Sequence, residues 1–278
     1  MTAVVCIALV GLVACRGEEP AAARAPERIV ALTPSVVETL FALGLGARVM
    51  GVGSYTTWPP AATRLPRLGG FFDPNLERIV ALEPDLAILT ASERDLAAKL
   101  QPLGIATLEV KAETLAEVEA SFRVIAARCG VPAAGEALAA RFRAALAPRP
   151  VEGSPVVLLS VGRPRGQLAQ VTVAGPETFY GELLARLGAR NAFPDAPTRY
   201  PQVGPEEILA RNPDVVLELR AQPASPELAA ALRGEWAELA RLAGRPGPRV
   251  EVVSGSHTML PGPRLPLLYR QMHEAVAR

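Results

Sequence analysis

The sequence predicts an α/β protein of two similarly designed lobes, each built on a parallel-rich sheet, with a helical connector between them. Three observations predict it. One stretch is written twice, as Glu77-Arg-Ile-Val-Ala-Leu-Glu-Pro-Asp85 and as Glu206-Glu-Ile-Leu-Ala-Arg-Asn-Pro-Asp214. Short apolar runs alternate with amphipathic helical patterns through both halves, as Rossmann-like parallel sheets with right-handed crossovers require. Residues 114–147 carry two helical patterns and little else. Two copies this far apart mark paired lobes rather than a solenoid, which needs three or more close repeats.

In each copy a short helix is expected to open at the glutamate and to stop before the proline, which disfavours helix in the residue ahead of it. The apolar runs that follow, Leu86 to Leu89 and Val215 to Leu217, have the length of buried parallel strands. Glu77 and Glu206 are therefore matched marks on the two lobes.

The predicted organisation is a signal and tether over residues 1–26, a first lobe over 27–113, connecting helices over 114–150 and a second lobe over 151–278. Residues 3–15 are apolar, too short to span a bilayer but suited to a secretory signal. Leu12-Val13-Ala14-Cys15 has the form of a bacterial lipobox, in which Cys15 would be lipidated; a plain cleaved signal is the alternative. No Lys or Arg precedes the run, which departs from the usual pattern. Either way the mature chain is expected outside the cytoplasm, periplasmic or at the cell surface, and the lipobox reading adds an anchor of acyl chains at Cys15.

In the first lobe, residues 28–32 read as a strand, and Thr33-Pro34 opens a helix closed by Gly44. Residues 49–52 are the next strand. The long connection from Gly53 to Pro74 holds Tyr55, Trp58, Phe71 and Phe72, although aromatics make up only 5% of the chain. Such a loop is either functional or, for Trp58 and one phenylalanine, a plug for the core. After the first Glu-to-Asp copy, a helix over 95–103 ends at Gly104, and 105–110 is a strand. The connector opens on a capping box, Thr114-Leu-Ala-Glu117, and is divided at Gly130-Val-Pro132. It would act as a stiff strut that permits small closure rather than wide swings.

In the second lobe, residues 156–161 form a strand followed by the basic turn Gly162-Arg-Pro-Arg-Gly166. Arg163 and Arg165 there are candidates for an anionic group, or a solvated turn. A helix is expected from Pro176 to Leu187, another from Pro226 to Ala243, a last strand over 250–253, and a terminal helix beyond the loop that holds His257.

Composition narrows the chemistry. Half of the 278 residues are hydrophobic and 21% charged, which marks a globular chain, and a net charge of +1 gives no reason to expect nucleic acid. Cys6 and Cys15 fall in the N-terminal run, leaving Cys129 alone, in keeping with a buried inert thiol. No P-loop, nucleophile elbow or zinc-type pairing is present, and Gly44-Leu-Gly46 closes a helix rather than forming a dinucleotide fingerprint. A hydrolase triad would need His257 with Ser35 or Ser160. With two histidines and unpaired cysteines, a metal would arrive already chelated.

Residues 28–35, Val49-Met-Gly-Val-Gly-Ser-Tyr55, residues 75–85, Tyr200-Pro-Gln-Val-Gly-Pro-Glu206 and Pro263-Arg264 occur in that order. In this the chain resembles the cobalamin-binding branch of the helical-backbone metal-receptor family of ABC-importer binding proteins, over nearly its whole mature length. The resemblance implies two α/β lobes joined by a long rigid helix, with ligand in the cleft between them and no catalysis. It implies capture of cobalamin or a related corrinoid, with haem- and ferric-siderophore-binding relatives sharing the frame. It implies delivery by a monomer to a permease and ATPase complex, Glu77 and Glu206 docking onto permease arginines. Ligand contacts carried over fall at Ser35, Tyr55, Phe71, Tyr200 and His257. Thr90, Phe71, Tyr200 and His257 stand where the cobalamin binder has tryptophan, and His257 is a candidate axial ligand to the bound metal.

Overall fold

The structure, a computed structural model, describes residues 24–164, 166 and 168–278. Cys6, Cys15 and Arg165 lie outside the described residues.

The first half runs β1 (Ile29–Ala31), α1 (Pro34–Ala42), β2 (Val49–Val52), α2 (Leu76–Ala81), β3 (Leu86–Thr90), α3 (Arg94–Leu100) and β4 (Ala106–Val110). Its sheet has the order β2-β1-β3-β4, with every pair parallel. Then come α4 (Leu115–Arg128) and α5 (Pro132–Ala145). The second half runs β5 (Val156–Gly162), β6 (Val171–Val173), α6 (Phe179–Arg186), β7 (Arg190–Asn191), β8 (Gln202–Val203), α7 (Pro205–Arg211), β9 (Val215–Arg220), α8 (Pro226–Leu242), β10 (Arg249–Ser254) and α9 (Leu265–Val276). Its sheet has the order β10-β9-β5-β6-β8, and β7 pairs with β5. The parallel set β7-β5-β9-β10 thus repeats β2-β1-β3-β4, while β6 and β8 add antiparallel strands.

The duplicated stretch does the same work in both halves. Glu77 and Glu206 both occupy the second position of their helices, which open one residue earlier than the sequence suggested. Ile79 and Ile208 are the buried residues that pin the helices to the outer faces of the sheets. Each helix is followed by a non-glycine residue in the left-handed region just before the proline, Glu83 at φ 44° and Asn212 at φ 46°. The aspartate then holds the neighbouring strand. Asp85 accepts hydrogen bonds from the amides of Glu27 (2.8 Å) and Arg28 (3.0 Å), and Asp214 accepts one from Val156 (2.8 Å). Both backbone amides donate back, to Arg28 and Val156, at 2.9 Å.

Strand alternation distributes the core. Ile29, Ala31, Leu86 and Ile88 of the first sheet and Val157, Leu159, Val215 and Leu217 of the second face one contiguous apolar core, filled by α1, α4, α5, α6 and α9. Val30, Ala87 and Leu89 face a separate cluster on the other side of the first sheet, and Leu158 and Val216 one on the other side of the second. Close-packed cores resist sliding, so a core common to both halves limits their relative motion.

The connector is a helical hairpin. α4 and α5, each about 21 Å long, fold back on one another at the turn made by Gly130 (φ +75°). Phe122 meets Phe142 edge to face at 5.2 Å, Arg123 bridges Glu119 and Glu136, and Arg143 closes on Glu119. Its stiffness comes from packing rather than from the length of one helix. Cys129 at its turn is buried, and burial raises its thiol pKa.

Three local expectations change. Thr33 stands at the N-terminus of α1, but its hydroxyl goes to Glu93 instead of capping the helix. The helix expected from Pro176 starts at Phe179, because Thr178 supplies the cap to Gly181 at 3.1 Å. Arg163 is not an anion site. Its side chain is fully buried, paired with Glu218 at 3.0 Å and with Glu235, while the Trp236 indole N–H donates to the same Glu218 at 3.1 Å.

Candidate functional site

A cleft of about 1070 Å³ opens between the halves. Its lining comes from the carboxyl ends of the strands, where open α/β sheets place their sites. β1 leads into Thr33, Pro34 and Ser35; β2 into Ser54, Tyr55 and, further along the same loop, Phe71; β3 into Thr90 and Ser92; β4 into Lys111 and Glu113. From the second half, β9 leads into Gln222 and Pro223, and β10 into Ser256, Met259, Leu260 and Pro261. Arg199 completes the wall. Single-ligand pockets run to roughly 1,000 Å³, so the space suits a large ligand.

The long aromatic loop does not plug the core. Tyr55 is 64% exposed and stacks on Phe71, ring centroids 5.7 Å apart and planes inclined by 23°. Gly70 permits this, since a Cβ there would come within 3.1 Å of the Tyr55 ring. Phe72 is 94% exposed. Trp58 lies against Arg264, whose guanidinium carbon is 5.4 Å from the ring centroid. Arg264 in turn grips Glu38 of α1 through two hydrogen bonds, Nε donating at 2.9 Å, and donates to Ser256 at 3.1 Å. This buried pair ties the loop after β10 to the first half, beneath the cleft residues Ser35 and Ser256. Burial raises the Glu38 carboxyl pKa, against the lowering influence of Arg264.

Ser35, Tyr55 and Phe71, expected from the sequence, come together on the cleft. Tyr200 and His257 do not line it. Tyr200 packs on the main core beside Glu113 and Arg199, and burial pushes its phenol up, with Glu113 adding to the rise. His257 turns inward because its loop is wound around buried anchors. The single proton of the Thr258 hydroxyl is shared between the carbonyls of Arg220 (2.7 Å) and Gly255 (2.9 Å), and Tyr180 donates to the carbonyl of Thr258 at 2.8 Å. The imidazole is 6% exposed under Gly255, its Nε2 2.6 Å from the Gln271 amide oxygen. A ring nitrogen so committed is neither an axial ligand nor the base of a triad, and Ser160 is buried without a partner. Among the described residues no group of three His, Cys, Asp or Glu side chains is placed to hold a metal ion.

Desolvation lowers the His257 pKa, the Arg264 charge adds to that, and the Gln271 contact opposes it. The folded state thus keeps the ring neutral where the unfolded state, with its ordinary value of 6.5, takes up a proton. The stability this gives is present above pH 6.5 and is lost as pH falls toward the depressed folded value. Wild type is expected to lose thermal stability between about pH 7 and pH 5 more steeply than His257→Gln; parallel curves in scanning calorimetry would contradict it.

Lys111, Glu113, Arg199, Thr33 and Ser92 were missed from sequence, as were Ser256, Met259, Leu260 and Pro261 in the loop where His257 was expected to make the contact. Most stand at the carboxyl end of a predicted strand, a signal that was available. Glu77 and Glu206 are exposed, outside the cleft lining, on α2 and α7.

The periplasmic binding protein family matches residues 29–225. The chain belongs to the periplasmic binding protein family. Among relatives of this binding protein, the vitamin B12-binding protein of Pectobacterium carotovorum subsp. carotovorum (strain PC1) is 30% identical over 233 residues, covering 82% of this chain and 81% of that one. The vitamin B12-binding protein of Vibrio cholerae serotype O1 is 28% identical over 235 residues, covering 80% and 84%. Among solved structures, the periplasmic heme-binding protein RhuT from Roseiflexus sp. RS-1 superposes on this binding protein with a TM-score of 0.73 at 27% identity, covering 90% of this chain and 98% of that one. Its fold is also that of the Vibrio cholerae vitamin B12-binding protein BtuF, with a TM-score of 0.69 at 23% identity, covering 90% and 96%.

Proposed function

We propose that this periplasmic binding protein captures cobalamin or a related corrinoid outside the cytoplasm and delivers it to the permease of an ABC importer. The observation that carries the proposal is the stacked Tyr55–Phe71 pair on the wall of a cleft of about 1070 Å³. Flat aromatic faces cover a macrocycle at low entropic cost, and the hydroxyls and Gln222 of the opposite walls can hydrogen-bond side-chain amides at its rim. Curated relatives named as vitamin B12-binding proteins support the same ligand. Ser35, Tyr55 and Phe71 are the proposed ligand contacts. The function is non-covalent: nothing is made or broken in the ligand, and the shared core keeps closure small. The two lobes divide at the connector over residues 114–150, and the protein acts as a monomer.

Glu77 and Glu206 form the permease-docking pair, beside which the importer's ATPase drives transport. Cys15 carries the lipid anchor. Changing Cys15 to serine is expected to move the protein from the membrane fraction to the soluble fraction; retention in the membrane fraction would count against the anchor. No helix among the described residues is long and apolar enough to cross a membrane.

A second reading, a haem or ferric-siderophore binder, draws on the Tyr55 hydroxyl, since a tyrosine oxygen can hold haem iron. Absorbance titration with cyanocobalamin, haemin and a ferric siderophore separates them. The corrinoid is expected to bind, and Tyr55→Ala and Phe71→Ala to weaken it on the order of tenfold each, ~1.4 kcal/mol. A Soret shift with haemin and silence toward the corrinoid would transfer the assignment to haem.

A further inference from the structure

Behind the first-half wall of the cleft is a carboxylate that the ligand reading does not use. Glu93 is only 2% exposed. Its Oε2 accepts three hydrogen bonds: from the Thr33 hydroxyl at 2.7 Å, the Thr90 amide at 2.8 Å and the Thr90 hydroxyl at 2.9 Å. Its Oε1 is buried with no partner. The Thr90 amide bond belongs to a capping box over residues 90–93. A capping box alone does not recruit Thr33, which stands beside Thr90 at the carboxyl end of the neighbouring parallel strand. Nor does a buried carboxylate with a bare oxygen favour folding.

The consequence lies in where the protons point. A hydroxyl has one proton. Thr33 and Thr90 each give theirs to Glu93. Ser92 is 2.9 Å from the Thr90 oxygen, and since Thr90 has no proton left for it, Ser92 is the donor. The relay therefore runs Ser92 to Thr90 to Glu93, with Thr33 joining from the other side. Thr33, Thr90 and Ser92 all line the cleft, and with their protons committed to one another and to Glu93 their hydroxyls are left with lone pairs to offer a ligand.

We propose that this hydroxyl patch selects ligands bearing N–H donors, primary amides above all, over ligands bearing carboxylates, and that Glu93 is the positioning residue that sets the selectivity. An amide N–H facing the patch gains a hydrogen bond. A carboxylate facing it meets acceptors and leaves both sides unpaired, the kind of mismatch that discriminates strongly. The inference rests on the corrinoid reading and deepens it, because it names the rim chemistry that the site accepts.

Lys111 and Arg199 line other parts of the cleft and favour anions, so the selectivity is read as a change between proteins. The probes are cyanocobalamin and cyanocobalamin whose side-chain amides have been hydrolysed to carboxylates, titrated into wild type, Glu93→Leu and Thr90→Val. Leucine is close to glutamate in size but accepts no hydrogen bond, so the protons of Thr33 and Thr90 are freed for the cleft. The ratio of amide to carboxylate affinity is expected to fall about tenfold in Glu93→Leu. Thr90→Val, which deletes an acceptor and frees the Ser92 proton, is expected to weaken the amide form more than the carboxylate form, and it decides the matter if Glu93→Leu does not fold. Binding of cyanocobalamin with an unchanged ratio in the folded variants overturns the inference and leaves the proposed function standing. Failure of wild type to bind either corrinoid overturns the proposed function and the inference with it.

Discussion

Replacing both Glu77 and Glu206 with alanine is expected to abolish ligand import while leaving ligand affinity unchanged. The two carboxylates occupy the same helical position on α2 and α7, the same duplicated stretch positions them, and both are solvent-exposed away from the cleft lining. Nothing in the packing of either helix needs the charge: Ile79 and Ile208 do that work. A glutamate in the first turn is worth roughly 0.3–1 kcal/mol to its helix, so each variant should stay folded. Loss of one charge from a hydrogen-bonded pair across an interface costs about 2–5 kcal/mol, and distant sites add. Each single variant should therefore dock about tenfold or more weakly, and the double variant should not dock measurably. Co-sedimentation with permease-containing vesicles, run beside ligand titration, measures both. Equal docking by wild type and the double variant would remove these residues from the interface.

Arg264→Met is expected to destabilise the protein by about 3–5 kcal/mol, because it strands Glu38 as an uncompensated buried charge. For a chain of this size that is a fall in Tm on the order of 10 °C. Methionine keeps much of the arginine's volume, so the loss is electrostatic rather than a cavity. Pairing it with Glu38→Leu removes both charges and should restore most of the stability, as replacement of whole buried ion pairs does. The pH dependence has a definite sign. Burial already raises the Glu38 pKa, and without Arg264 it rises further. A raised acid is stable in the fold while protonated and loses that stability as pH climbs through its folded value. The deficit of Arg264→Met should accordingly be larger at about pH 8 than at about pH 5. Equal deficits for the single and double variants in thermal melts would mean that the pair does not act as a unit.

The parts of the fold that were legible from sequence were those that repeat or alternate. The Glu-to-Asp copies exposed the two halves because Pro-Asp has a fixed task in each: the proline follows a left-handed residue and the aspartate ties down the next strand over. Strand order was not legible. Placing β7 in the slot that β2 fills in the first half depends on two residues, Arg190 and Asn191, too short a run to leave a pattern. At the site, Tyr55 and Phe71 were legible because aromatics are scarce and these fell in a long loop. His257 misled because residue type does not report which way a tightly wound loop turns its side chain. Arg163 misled for a related reason: a basic turn at a strand end looks like an anion site until Glu218 and Glu235, distant in sequence, pack around it. Glu93 was invisible because its partner Thr33 comes from a strand on the far side of a crossover.

A crystal structure of the protein grown with cyanocobalamin would place the ligand directly. The corrin ring is expected between the halves, against Tyr55 and Phe71, with its amide rim toward Thr33, Thr90 and Ser92 and the backbone little changed. A corrinoid bound on an outer surface, or a cleft filled by the two halves closing on each other without ligand, would contradict it.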